Sequence, residues 1–272
     1  MIRRFALGTL TALGLAGVAA AADLPTSKPA APPPYAPQIS WTGFYFGLNG
    51  GWIGSSGDNV SNTGADTGPG GLGAALAAGQ IPRQIGIGQS GGVFGGQVGY
   101  NWQFSPTWVG GVETDLDWAS PQGSASAVHT GGLGSAPFTT NFSRALEAVG
   151  TVRARIGFLA TPTFLLYGTG GLAYGETKIG SSFVCPTCSP PTSTEATTAN
   201  SNTGWSAGWT LGLGGEWKLA PNWSVKAEYL YVDLGSRSDT IAYTYPTANT
   251  STLTSKADTR DNIVRVGVNY GF

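Results

Sequence analysis

The residues best suited to chemistry are few and badly placed for catalysis. The only histidine, His129, sits between Val128 and Thr130 in a Ser/Gly-rich stretch expected to be an exposed loop. Hydrolases that use a serine nucleophile generally hold a histidine beside it, and a lone histidine in an exposed Ser/Gly-rich loop is more often solvated than catalytic. Asp115 and Asp117 could form an acidic pair, but they share one face of an alternating segment that points into an enclosed interior. Gly91-Gly92-Val93-Phe94-Gly95-Gly96 lacks the following helix and the Lys-Ser/Thr pair of a phosphate loop. Cys185 and Cys188 are separated by two residues, with Ser189-Pro190-Pro191 after them instead of the helix start that would lower a thiol pKa. In an exported chain they read as a disulfide pinning a loop. One cysteine pair with no histidine beside it is a poor zinc site. The expectation is therefore no enzyme, no catalytic residue, no metal and no cofactor.

The elements that carry these residues follow from composition. Of 272 residues 43 are glycine, and only 11% are charged; ordinary chains have about 7% glycine and about 25% charge. That excludes coiled coils and solvated disordered chains. A formal charge of −1 gives no basic face for nucleic acid. Nine Trp, ten Tyr and eleven Phe favour strands. Arg3, Arg4, the apolar stretch Phe5 to Val18 and Ala20-Ala21-Ala22 predict a cleaved export signal over 1–22. Six prolines between Pro25 and Pro37 predict an extended periplasmic tether over 23–40. A barrel domain is expected over 41–272.

From Phe44 onward the side chains alternate with period two. Phe44, Phe46, Leu48 and Trp52 oppose Tyr45, Gly47, Asn49 and Gly51. The same pattern recurs around Val98, Val112, Ile156, Leu213, Ala227 and Val266, while Phe164 to Glu176 is apolar at both parities and leaves its faces open. Seven clear alternations and this one predict eight strands. Ser105-Pro106, Ala160-Thr161-Pro162 and Ala220-Pro221 predict three short periplasmic turns. Between them, 53–92, 119–143, 178–203 and 235–261 are rich in Gly, Ser, Thr and Asn, which predicts four long irregular extracellular loops. The fold class is thus all-β, an eight-stranded antiparallel up-and-down transmembrane barrel.

A soluble sandwich competes, and the aromatics decide against it. Trp41, Trp102, Trp108, Trp217 and Trp223 lie at short-turn ends, and Trp52, Trp118 and Trp209 near long-loop ends. Two such sets match the aromatic girdles of a membrane barrel. The opposite face then looks into the lumen with Glu113, Asp115, Asp117, Arg153, Arg155, Glu216, Lys218, Lys226, Glu228 and Arg265. Buried charges persist when paired or wet. Two readings stay open: a polar plug of ion pairs, or a narrow water path eased by lumen glycines such as Gly95, Gly99 and Gly214.

Ala22-Asp23-Leu24-Pro25, the first strand Trp41-Thr42-Gly43-Phe44-Tyr45-Phe46-Gly47 and the closing Val264-Arg265-Val266-Gly267-Val268-Asn269-Tyr270-Gly271-Phe272 resemble the small outer-membrane immunogenic proteins of alphaproteobacteria. These are barrels of the OmpA-like transmembrane type, often labelled porins or surface antigens. The resemblance implies residence in the outer membrane among its lipid and lipopolysaccharide. It also implies insertion by the outer-membrane assembly machinery, with Val268, Tyr270 and Phe272 as the recognition signal. Two functions follow as expectations: structural surface display, or a small diffusion channel.

Overall fold

The computed structural model describes residues 39–56, 59–133, 136–189, 194–244 and 249–272, with 130–133, 136, 187–189 and 194–198 described by backbone alone. The export signal and nearly all of the proline-rich segment lie outside the described residues. The elements are β1 (Gly43–Ser55), β2 (Asn59–Asp66), α1 (Leu72–Ala77), β3 (Gln84–Gly86), β4 (Ser90–Gln103), β5 (Trp108–Ala119), β6 (Gln122–Leu133), β7 (Ala136–Thr161), β8 (Phe164–Ser189), β9 (Thr194–Lys218), β10 (Trp223–Thr244) and β11 (Thr250–Gly271).

The strands form one 11-stranded antiparallel sheet that closes into a barrel-like ring. Leu48 of β1 pairs with Gly96 of β4 on one side and with Val268 of β11 on the other. The path of pairings from β1 through β4, β5, β7, β8, β9, β10 and β11 thereby returns to its start. Closure leaves this part of the sheet without an open edge. The alternation decides which way each side chain points. Phe44, Phe46, Leu48 and Trp52 stand outside the ring, while Tyr45 and Asn49 are buried within it. In β8 the structure resolves the undecided faces: Leu165, Tyr167 and Ala173 point in, and Leu166 and Leu172 point out. Both parities are apolar over Phe164 to Glu176 because this part of β8 contributes to two buried apolar clusters as well as to the outer surface.

The expectation of long irregular loops is corrected. β7 and β8 run for 26 residues each, β9 for 25, and β10 and β11 for 22 each, so strand continues far into the Ser/Thr-rich segments. The β9–β10 ladder stops at Trp209–Asp233, where a register shift between Asp233 and Ser236 turns β10 aside. Gly235 takes φ +73° at that bulge, a conformation open to glycine without strain. Beyond it the pairings run β3-β2-β11-β10 and β6-β7-β8-β9 as two separate series. Phe138, Phe142, Ile179 and Phe183 of one series share an apolar cluster with Val60, Ile241 and Leu253 of the other, and Leu72 and Leu76 of α1 join it. Apolar residues at alternate positions among threonines, a good strand former, suffice to build sheet here.

Candidate functional site: the closed interior

The alternation of β5 sends Glu113, Asp115 and Asp117 inward from one strand, and register sets β7 beside it with Glu113 opposite Arg153. Arg153 Nη2 donates to Glu113 Oε1 at 2.5 Å and to Asp115 Oδ2 at 2.8 Å. Its Nη1 reaches across to Glu228 Oε1 at 2.8 Å, and its Nε donates to Thr151 Oγ1 at 2.8 Å. Arg265 closes the other side, donating to Asp117 Oδ2 at 2.5 Å and to Asp115 Oδ2 and Glu228 Oε2 at 2.8 Å each. Lys226 Nζ donates to Glu113 at 2.8 Å, and Arg155 Nη2 to Glu216 Oε2 at 2.9 Å. Arg153 and Arg265 are each 1% exposed. Charges this deep persist because every one has a partner of opposite sign and further hydrogen bonds.

Lys218 stands apart from this assembly. It donates to the carbonyls of Ser40 at 2.6 Å and Pro221 at 3.3 Å, over the ring of Trp41. Trp41 itself is a correction. It is 3% exposed and packs with Val109, Leu159, Leu165 and Tyr167, its Nε1 donating to Pro162 O at 3.1 Å. It covers the short-turn mouth of the interior instead of joining a girdle. The signal was in the parity, since 41 shares the inward register of Tyr45 and Asn49. The other seven tryptophans singled out (Trp52, Trp102, Trp108, Trp118, Trp209, Trp217 and Trp223) are exposed on the outer surface.

Sequence reasoning missed the neutral partners. Tyr45 donates to Glu113 Oε2 at 2.7 Å, and the Arg155 guanidinium lies between the rings of Tyr45 and Tyr167. A Cβ at Gly99 would meet the Tyr45 ring and hydroxyl, and one at Gly214 would meet Tyr167. The room those glycines leave is therefore filled by tyrosine, not left to water. Toward the long-strand end, Ile53, Val93, Leu146, Val149, Leu230 and Ile263 form an apolar layer over the charges.

His129 is the second correction. It lies in β6, buried against Phe138 with ring centroids 4.5 Å apart, its Nε2 facing Thr140 Oγ1 at 3.2 Å. The apolar partners arrive from β7, which local sequence around His129 could not show. Burial holds its pKa below the ordinary imidazole value. A base depressed on folding leaves stability intact above its unfolded value, and that stability is lost as pH falls from there through its folded value. Proton NMR of the His129 ring should show a titration midpoint below that of free histidine, and a midpoint at or above it would contradict this packing.

Cys185 is buried and disulfide-bonded; the side chain of Cys188 lies outside those described. Val268 and Phe272 are exposed on the outer surface of β11 and just after it, with the Tyr270 ring 5.4 Å from Phe272 and 5.1 Å from Trp223. Among the described residues no group of three His, Cys, Asp or Glu could hold a metal ion. Asp115 and Asp117 are both engaged by Arg265. What the arrangement can do chemically is fill and rigidify an interior.

The chain matches the family model for the outer membrane protein beta-barrel domain over residues 8–272. It is 37% identical over 263 residues to the 31 kDa outer-membrane immunogenic protein of Brucella melitensis, covering 93% of each chain. It is 33% identical over 206 residues to the 22 kDa outer membrane protein of Rhizobium leguminosarum bv. viciae, covering 75% of this chain and 69% of that one. Among solved structures it is similar to the outer membrane protein OprG from Pseudomonas aeruginosa, with 15% identity, 86% and 99% coverage and a TM-score of 0.42. Neither sequence relative is named as an enzyme. With the match running through the last strand and the ring closed on the first, this chain belongs to the outer membrane protein beta-barrel family.

Proposed function

We propose that β1, β4, β5 and β7 to β11 are eight membrane-crossing strands, and that the protein is a closed barrel serving envelope integrity and surface display. In this reading the signal over 1–22 is removed, the three short turns face the periplasm, and the long strand extensions stand outside the cell. The observation that carries it is the interior: Arg153 and Arg265 bridge carboxylates from opposite walls, with Trp41 covering one end and an apolar layer the other. Eight strands enclose a space that side chains alone can fill. We read lipid and lipopolysaccharide as the partners of the outer face, and Val268, Tyr270 and Phe272 as the signal for the assembly machinery.

The test is single-channel conductance of protein purified from outer membranes in a planar bilayer. A silent membrane is the expected result. Reproducible steps that change on replacing Arg153 and Arg155 would make it a small diffusion channel instead. The lipid face gives a second expectation. Val266 is 65% exposed on the outer surface between the aromatic sets, so Val266→Arg should cost about 2–4 kcal/mol in lipid vesicles. Thr240→Arg, on the exposed outer side of the extension, should leave urea unfolding nearly unchanged. Equal costs at the two positions would refute the membrane placement.

A further inference from the structure

Between the Trp41 cover and the apolar layer, five carboxyls (three on β5, with Glu216 and Glu228) face four cations, Arg153, Arg155, Lys226 and Arg265. Lys218 does not redress the count where it is needed, because it sits half-buried at the short-turn mouth while Asp117 is at the far end of β5. The interior is therefore one positive charge short.

A second observation points to the same deficit at a definite place. Three side-chain amides run in series across the interior: Asn49 Nδ2 donates to Gln97 Oε1 at 3.0 Å, Gln97 Nε2 to Asn269 Oδ1 at 2.6 Å, and Asn269 Nδ2 to Glu216 Oε1 at 2.9 Å. Each amide accepts at oxygen and donates at nitrogen, so the series has a direction, and its last donor ends on a carboxylate. Its first acceptor, Asn49 Oδ1, has no donor, and neither does Asp117 Oδ1. These residues are 4% and 1% exposed. They flank Gly95 in one register row, and Asp117 Oδ1 leans over Gly95 toward Asn49, where an added Cβ would meet it. Two unpartnered acceptors deep in a protein are costly, and one hydrogen between them satisfies both.

We propose that the closed interior holds one buried proton, carried on Asp117 Oδ1 and donated to Asn49 Oδ1 at the head of the amide series. Asp117 Oδ2 still accepts from Arg265, as the carbonyl oxygen of a neutral acid can. The same proton leaves four ionised carboxylates against four cations. Reversing all three amides would satisfy Asp117 but turn Asn269 Oδ1 onto Glu216, which would then need the proton. Glu216 is the poorer holder, because it already accepts from Arg155, Ser224 and Asn269. The side chains that bear on the site are Asp115 and Glu113 from β5, Arg153 from β7, Lys226 and Glu228 from β10 and Arg265 from β11. The inference does not depend on whether the barrel displays or conducts.

The test is infrared spectroscopy of the folded protein in lipid vesicles at neutral pH, with Asp117→Asn, Asp115→Asn and Glu216→Gln. A protonated-carboxyl C=O band is expected in the unsubstituted protein and lost in Asp117→Asn. That variant should keep the original unfolding midpoint, since its new amide can donate to Asn49 in place of the hydroxyl. Asp115→Asn, the same chemical change one inward position away, should lower the midpoint, because it strips a charge from Arg153 and Arg265. Absence of the band in the unsubstituted protein overturns the proposal, and a midpoint that then rises with sodium would show an alkali cation in the proton's place. A band that vanishes in Glu216→Gln overturns the assignment to Asp117. Should Asp117→Asn not fold, the unsubstituted spectrum and the Glu216→Gln spectrum decide between these outcomes.

Discussion

Arg153→Ala is expected to cost the barrel about 3–5 kcal/mol, because it takes one cation at once from Glu113, Asp115 and Glu228 and leaves these three buried carboxylates to Lys226 and Arg265 alone. The loss would come less from the vanished attraction than from three buried carboxylates left with too little positive charge between them. Arg260 provides the contrast: it pairs with Asp233 and Asp258 on the exposed surface, where ion pairs contribute little. Arg260→Ala should leave urea unfolding in detergent micelles where it was. If Arg153→Ala were as mild as Arg260→Ala, Lys226 and Arg265 with entering water would be holding the three carboxylates, and an interior filled by side chains alone would be wrong.

The chemistry of that interior was legible in part because period two is a strict code. Once Val112 and Leu116 are placed outside, Glu113, Asp115 and Asp117 have nowhere to go but in. The same code would have placed Trp41 inside, had its parity been weighed above its position at a strand end. Ring closure, by contrast, rests in the sequence only on the number of alternations and the turn prolines. No local pattern states that Leu48 stands between Gly96 and Val268. The amide series was illegible for a different reason. Asn49, Gln97 and Asn269 lie on the inward parity of three strands, yet their order and direction depend on register between segments far apart in the chain. Composition misled at the extensions. Ser, Thr and Gly favour loops, yet Thr also pairs well in strands, and Phe138, Phe142, Ile179 and Phe183 supply an alternating apolar face inside those segments.

That hidden face gives the other large effect. Phe183 is 1% exposed, with ring centroids 5.4 Å from Phe138 and 6.3 Å from Tyr243, so it joins β8 to β7 and β10 across the cluster. Phe183→Ala should cost about 3–5 kcal/mol of local stability through lost burial and a cavity. The loss should stay local, because the β9–β10 ladder ends at Trp209–Asp233 and the apolar layer around Leu230 and Val149 lies between this cluster and the charges. Regions held by separate cores open separately. Protease added to intact cells should therefore cut β8, β9 or β10 beyond Tyr174, Trp209 or Asp233 in the variant and spare the original protein. The remaining barrel should still run as a folded, heat-modifiable band. Unchanged protease resistance would mean that the extensions are held by their backbone ladders alone. Loss of the folded band along with the cut would mean that cluster and barrel unfold as one unit.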